Sequence, residues 1–304
     1  MALARRCIFD NDLSLRDSRV AIVGLGLMGG SLAMALMQRS LCQEVIGIAR
    51  RDQSVQEAMD QVIAHRATTD LADGVAGADV IVLATPVRTI LHQIRQLAAM
   101  PLGPCLLLDM GSTKGDIATA MQELPPQVQP VGAHPMCGKE TAGLAAAEPT
   151  LYEGAPWVLV PLPRTSPNAL ALAQELAVAV GARPLIVDAD RHDRLVAGIS
   201  HLPYLLAVVL MLTATEMGIE DELIWKLAAS GFRDTSRLAA SNVPMMLDIL
   251  LSNQAAVGEA LRRASVHLER LADLLSVEEE DGLRTLLTAA YDGRTPMFQT
   301  AERG

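Results

Sequence analysis

Aromatic residues are scarce. Phe, Tyr and Trp make up 3% of the 304 residues, although half of the chain is hydrophobic and its mean hydropathy is +0.27. The apolar content is therefore Ala, Leu, Val, Ile and Met, a mixture suited to closely packed helices. Positive charge is also in deficit. Lys and Arg number 25 against 35 Asp and Glu, a formal charge of −10. That balance speaks against a broad nucleic-acid footprint or a polybasic membrane patch. Long apolar runs are lacking: the longest, Leu202 to Leu212, has 11 residues and contains Pro203. A membrane-spanning helix needs about 20, so we read a buried core helix and no membrane partner. The first 18 residues hold Arg5 and Arg6 but no apolar stretch of secretory-signal length, and read as a loosely ordered extension. Cysteines are few: Cys7, Cys42, Cys105 and Cys137 have no CxxC or other ligand spacing. No metal site is expected from them, and reduced thiols in a cytoplasmic protein fit best.

What the chain does contain is alternation. Strands are expected at Arg19–Gly24, Glu44–Ile48, Asp79–Ala84 and Cys105–Asp109, with a fifth beginning at Val131 and later ones at Pro156–Pro161 and Arg183–Val187. Between them, helices are expected at Ser31–Arg39, Val55–Gln61, Val87–Ala99 and Asn168–Val180. Short continuous apolar strands separated by helices imply a mostly parallel sheet covered on both faces. After Asp188 strand signals vanish. Helices are expected at Arg191–Met217, Ile219–Ala229, Pro244–Leu275 and Glu278–Asp292. The reading is an extension over 1–18, an α/β domain over 19–188 and an all-α domain over 189–304.

The strongest local signal is Gly24-Leu25-Gly26-Leu27-Met28-Gly29, directly after a strand and opening a helix. Gly24 permits a tight turn, Gly26 lets backbone approach a pyrophosphate, and Gly29 lets the helix pack on the strand. The helix N-terminus, with Leu27 and Met28, offers free N–H groups to the phosphates. The segment reads as a Rossmann-type dinucleotide site, the alternative being a tight structural turn. At the end of the second strand, where NAD sites usually carry Asp or Glu, stand Ala49, Arg50 and Arg51. An arginine there can pair with a 2′-phosphate, so NADP is favoured over NAD. Asp52, a displaced acidic residue, keeps NAD open. Thr85 and Pro86 end the third strand on the expected nicotinamide side, a placement equally compatible with a helix N-cap.

Further polar segments follow the fourth and fifth strands, at the edge where open α/β sheets bind ligands. DMGSTKG spans 109–115 and GAHPMCGKE spans 132–140, while SHLP at 200–203 and GFRDTSR at 231–237 interrupt the helical half. In this order behind GLGLMGGS, the motifs DxGSTKG, GAHPMxGxExxG, HDRxVAxxSHLP and GFRDTSR resemble the prephenate/arogenate dehydrogenase family of tyrosine biosynthesis, over residues 19 to 290. The resemblance implies a Rossmann-type domain, a helical dimerisation domain and thus a homodimer, and a small-molecule site in the cleft between domains. The implied reaction is oxidative decarboxylation of prephenate or arogenate with NAD or NADP.

The residue types suit that chemistry. Hydride leaves the ring carbon that bears the 4-hydroxyl, so the hydroxyl proton needs an acceptor, and a neutral histidine has a suitable pKa. His134 is read as that base, and Ser112 as the residue that orients it near the 4-hydroxyl and the cofactor. Ser112 could also be a helix N-cap. Arg237 matches the family's substrate-binding arginine, suited to a bidentate carboxylate contact. Arg233 and Asp234 would form an ionic network around it, and His201 would shape the substrate side of the cleft. Asp193 and Glu140 match positions that gate or brace the site. Two departures touch recognition: Tyr204 replaces a second histidine, and Lys139 replaces a small polar residue. Both lean toward arogenate. Too few residues precede the first strand or follow the last helix for a fused chorismate mutase or ACT-type domain. The competing readings are a hydroxyacid- or pyrroline-type dehydrogenase and a non-catalytic dinucleotide sensor. Neither accounts for the His134 and Arg237 segments together.

Overall fold

A computed structural model describes residues 14–139 and 141–299, with side chains to residue 295. Most of residues 1–18, including Cys7, and Glu140 lie outside the described residues. The sheet holds β1 (Arg19–Val23), β2 (Glu44–Ile48), β3 (Arg66–Thr68), β4 (Val80–Leu83), β5 (Cys105–Asp109), β6 (Val128–Pro135), β7 (Pro156–Pro161) and β8 (Arg183–Ile186). Their order is β3-β2-β1-β4-β5-β6-β7-β8. Every pairing is parallel except β6–β7. The order reverses between β1 and β4, which opens a crevice at their carboxyl ends.

On the faces of the sheet lie α1 (Leu27–Gln38), α2 (Asp52–Asp60), α3 (Leu71–Val75), α4 (Val87–Ala98), α5 (Gly115–Met121) and α6 (Pro167–Ala179). Two buried apolar clusters form, one on each face. Val20, Ile22, Leu106 and Leu108 point into one with Leu32 and Leu36, and Ala21, Ile81, Leu83 and Leu107 into the other with Ile90 and Ile94. Strands buried on both sides need apolar residues at every position, hence runs such as Val80–Leu83.

After β8 every described element is helical: α7 (Ala189–Val196), α8 (Leu202–Glu220), α9 (Leu223–Leu227), α10 (Ser230–Ser236), α11 (Val243–Ser252), α12 (Gln254–Ser276) and α13 (Glu280–Gln299). A π-turn at Ala197–His201 joins α7 to α8. By its own contacts the chain forms two compact units, one through Gln254 and one from Ala255 onward. The first takes in α7–α11. Arg88 on α4 pairs with Asp248 on α11 at 3.1 Å, and Thr113 lies 2.8 Å from Ser252 across their hydroxyls.

The differences from expectation have local causes. β6 begins at Val128 rather than Val131, because Gln129 and Pro130 continue its pairing with β5. α1 begins at Leu27 rather than Ser31: the glycine turn flows straight into helix. The 219–229 helix shrinks to α9, because α8 continues through Glu220 and the chain is extended at Asp221 and Ala228. The 244–275 helix breaks at Asn253, whose side chain is engaged elsewhere. Residues 14–18 are not loose. Leu15 is fully buried in the core, and its N–H donates to Glu175. The stretch Ala189–Glu220 is 32 residues of near-continuous helix, long and apolar enough to cross a membrane by length and composition alone. The shorter run read from sequence understated it, because small residues extend the apolar stretch in both directions.

Candidate active site

A cavity of about 460 Å³ opens at the carboxyl edge of the sheet. Its walls come from the glycine turn (Gly26–Met28), the end of β4 (Thr85, Pro86), the β5–α5 loop (Gly111, Ser112), the end of β6 (His134 to Lys139) and Arg237 to Asn242, with Met245 and Ile249 of α11.

The glycine turn fits a dinucleotide phosphate. Gly24 has φ +105° and donates its N–H to Ile48 at 2.8 Å, so the turn is fastened to the end of β2. A Cβ on Gly29 would stand 1.9 Å from the Gly24 carbonyl, so helix and strand can approach only there. A Cβ on Gly26 would meet no protein atom within 4 Å, and Gly26 lines the cavity. Gly26 caps α1 without any side-chain acceptor, and the first turn holds no acidic residue. Its N–H groups and partial positive charge are thus left for an anion. Tyr152 donates to the Met28 carbonyl and Ser31 accepts the Glu148 N–H, so the loop after β6 is pinned to this helix.

Behind His134 lies a fully buried ion pair. The Lys114 ammonium donates to Asp109 and, at 2.7 Å, to the Ala133 carbonyl. Asp109 also accepts N–H groups from Gly111 at 2.7 Å and Ala133 at 3.1 Å. One carboxylate thus ties the Ser112 loop to the strand that carries His134. Burial lowers the Lys114 pKa, and Asp109 opposes the shift.

His134 is half-buried on the cavity wall. Burial holds its pKa well below 6.5, and the nearby charges of Lys114, His192 and His201 push the same way. Its Nδ1 lies 2.9 Å from His192 Nε2, and His192 Nδ1 lies 2.8 Å from Asp193 Oδ1. Asp193 also accepts the N–H groups of Lys114 and Gly115, each at 2.8 Å. Burial alone would raise its pKa, but these hydrogen bonds outweigh it and leave the carboxyl below the usual range.

The expected site residues separate into two groups. Gly26, Leu27, Met28, Thr85, Pro86, Ser112, His134, Lys139 and Arg237 share the cavity. Lys139 also pairs with Glu148 at 2.5 Å. Ala49, Arg50 and Arg51 sit at the end of β2 beside the glycine turn, the two arginines exposed. His201 is not on the cavity wall. It is buried, with Nδ1 3.3 Å from the Asn253 amide, and burial lowers its pKa to about 4. Tyr204 lies in the first turn of α8 and Arg233 on α10, both outside the cavity lining. Two local readings are corrected. Ser112 does not cap α5, whose N-cap is Lys114. Thr85 does not cap α4, whose N-cap is Pro86; its hydroxyl donates to Gln93 at 2.7 Å. The side chain that lies within hydrogen-bond distance of His134 Nδ1 is His192. Sequence reasoning left His192, Asp109, Lys114 and Asn253 without roles. The adjacent His-Asp of HDRxVA was the available signal for the first. Among the described residues no cluster of three or more His, Cys, Asp or Glu could hold a metal ion.

Comparison with known proteins decides the lineage. Residues 32–186 match the family model for the prephenate dehydrogenase nucleotide-binding domain, and residues 188–289 that for its dimerization domain. The chain belongs to the prephenate dehydrogenase family. Membership makes it an oxidoreductase with a nicotinamide-nucleotide domain of Rossmann type followed by a helical domain. Within the family, a prephenate dehydrogenase of Lactococcus lactis is 32% identical over 261 residues, 84% of this chain and 70% of that protein. The prephenate dehydrogenase of A. aeolicus, solved with hydroxyphenyl propionate and NAD+, superposes with a TM-score of 0.86 at 29% identity, covering 94% of this chain and 100% of that one. The Synechocystis arogenate dehydrogenase gives 0.80 at 31%, covering 92% and 99%.

Proposed function

We propose that the chain oxidises and decarboxylates a cyclohexadienol carboxylate, prephenate or arogenate, with arogenate and NADP preferred. The observation that carries this reading is one cavity that joins the glycine turn, Ser112, His134 and Arg237. The turn and the N-terminus of α1 would hold the pyrophosphate, and the cofactor, when bound, accepts the hydride. His134 takes the 4-hydroxyl proton as the ring carbon becomes a carbonyl. The carbon–carboxylate bond then breaks, its electron pair aromatises the ring, and the proton returns to the oxygen as phenol. Ser112 hydrogen-bonds the 4-hydroxyl region. Arg237 clamps a substrate carboxylate, with Lys139 nearby to neutralise the second. Tyr204, His201 and Arg233 act on recognition from outside the cavity lining, and Glu140 braces the site in the same reading. The functional boundary falls at residue 188, between a cofactor domain and a substrate domain.

Arg50 and Arg51, exposed beside the glycine turn, support NADP through a charge-assisted contact to the 2′-phosphate. Steady-state kinetics of both substrates against both cofactors tests the whole reading. NADP should exceed NAD in kcat/KM by about tenfold, the worth of one such contact at roughly 1.4 kcal/mol. Replacing both arginines with alanine should abolish the difference. A clear NAD preference contradicts the cofactor assignment, and no turnover with any pair contradicts the reaction.

The helical half supports a homodimer. On α8, Leu206, Val209, Leu212 and Met217 are exposed in the single chain, and only Ala207, Ala214 and Gly218 are buried. A patch of that extent marks an interface. A second copy covers it in this reading, and sedimentation should give twice the 32.4 kDa chain mass. A monomer that partitions onto lipid vesicles would contradict this. The described cysteines, Cys42, Cys105 and Cys137, are free, which supports a reducing, cytoplasmic setting.

A further inference from the structure

The base at the cavity has a partner whose function nothing so far has assigned. His192 is buried on α7, one residue before Asp193, and its ring stands between that carboxylate and His134. The protons in this chain of groups can be placed by elimination. Asp193 takes two backbone N–H groups at the start of α5, a helix whose own N-cap, Lys114, supplies no side-chain acceptor. The carboxylate is therefore an acceptor toward every neighbour. His192 must donate to it from Nδ1. A neutral His192 then presents a lone pair at Nε2, and His134 must donate to that lone pair from its own Nδ1. Only one nitrogen of His134 remains, Nε2, and it is left as an acceptor.

We propose that His192 is the positioning residue that makes His134 a base: the Asp193–His192–His134 relay fixes the proton of His134 on Nδ1 and leaves Nε2 free to accept. Without it an isolated imidazole can carry its proton on either nitrogen, and one of the two tautomers cannot accept the substrate proton at all. The two-ring relay follows from the fold. Asp193 is committed to the N-terminus of α5 and does not bond His134 directly, so an intervening ring carries its influence to β6. Asn253 fixes the relay from the other side. Its amide donates to the Asp193 carbonyl at 2.8 Å and reaches the buried ring of His201, which holds α7 at the π-turn. The charged and titratable groups around His134 are Lys114 behind β6, His192 and Asp193 on α7 and His201 after the π-turn, with Lys139 and Arg237 on the cavity wall. Among them only the relay dictates which nitrogen holds the proton.

The inference deepens the reading of His134 as the base, and its test separates the two. Imidazole ¹⁵N NMR of the whole enzyme, without substrate, reads the tautomer directly. The chain has only six histidines, and the His134 signal is the one lost in His134→Asn. The expected wild-type spectrum at neutral pH shows His134 protonated at Nδ1. In kinetics, His192→Leu should lower kcat by about 100-fold or more with substrate KM changed less than about threefold, as for groups that act through another residue. His192→Gln keeps an acceptor oxygen near the lost Nε2 and should recover to within about tenfold of wild type. Asp193→Asn, which can turn an amide donor toward His192 and reverse the relay, should shift His134 toward the Nε2-protonated form. A wild-type His134 protonated at Nε2 overturns the proposal even if every variant fails to fold. So does a glutamine variant as impaired as the leucine one. If wild type shows the expected tautomer but oxidises no cyclohexadienol, the proposed reaction fails and the relay stands.

Discussion

His134→Asn lowers kcat by about 10³- to 10⁴-fold and leaves the cofactor dissociation constant within about twofold, the upper range for loss of a positioned base. The choice of asparagine follows from the geometry. Its amide can still donate to His192 Nε2, replacing the Nδ1–H contact at 2.9 Å. The wall of the cavity is kept while the accepting nitrogen is removed, and the glycine turn that would hold the cofactor is untouched. Cofactor titration by fluorescence and steady-state turnover measure the two effects separately. Turnover within tenfold of wild type would show that His134 is not the base. The pH profile supplies a second check. Burial, with Lys114, His192 and His201, holds the His134 pKa well below 6.5. A base with a depressed pKa is deprotonated, and active, at any pH above it; activity is lost only as pH falls through that low value. The acid limb of kcat/KM should therefore lie below 6.5. A limb at or above that pH would contradict the buried setting.

Asp109→Ala destabilises the fold by about 3–5 kcal/mol, because it leaves the Lys114 ammonium buried without its counter-charge. Against total stabilities of roughly 5–15 kcal/mol, that is a large fraction. Two backbone N–H groups, of Gly111 and Ala133, lose their acceptor in the same step. Lys114→Met removes the charge and strands the carboxylate instead. The double variant Asp109→Ala/Lys114→Met buries no ion, and should be less destabilised than the two single changes summed, by about 1–3 kcal/mol. It does not return to wild type, since the Ala133 carbonyl has lost its donor. Urea unfolding midpoints at constant slope measure the cycle. Additive effects, or a single-variant loss under about 1 kcal/mol, would show that the pair is not coupled. Should Asp109→Ala not fold, Asp109→Asn keeps the volume and still removes the charge.

The sheet was legible because its central strands must be apolar throughout, and Val80–Leu83 or Cys105–Asp109 can hardly be read otherwise. The glycine turn was legible because Gly24 and Gly29 answer steric demands that no other residue meets. The short pieces were harder to see. β3 is a three-residue edge strand with no fully buried position, and α10 has no buried residue, so neither leaves a periodic trace. In the cavity, His134, Ser112 and Arg237 stood out because polar groups at a strand end or inside an apolar run invite explanation. His192 and Lys114 did not. On the linear chain each looks like a solvated polar residue, and only the packing of α5 and α7 shows that both are buried behind the cavity. Asn253 was hidden for the opposite reason: it sits inside a long helical pattern that it interrupts, and its contacts lie far away in sequence.

The π-turn at Ala197–His201 has a consequence for inheritance. One residue of helix is worth about 100° of rotation. A helix widened by a single extra residue therefore sets the azimuth of α7 relative to α8. Deleting one of residues 197–200 would leave His192, Asp193, His201 and Asn253 all present. It would nonetheless turn His192 and Asp193 by more than a quarter of a circle, away from β6. Substitutions at residues 197–200 leave this rotation in place, whereas an insertion or deletion within the turn changes the mechanism.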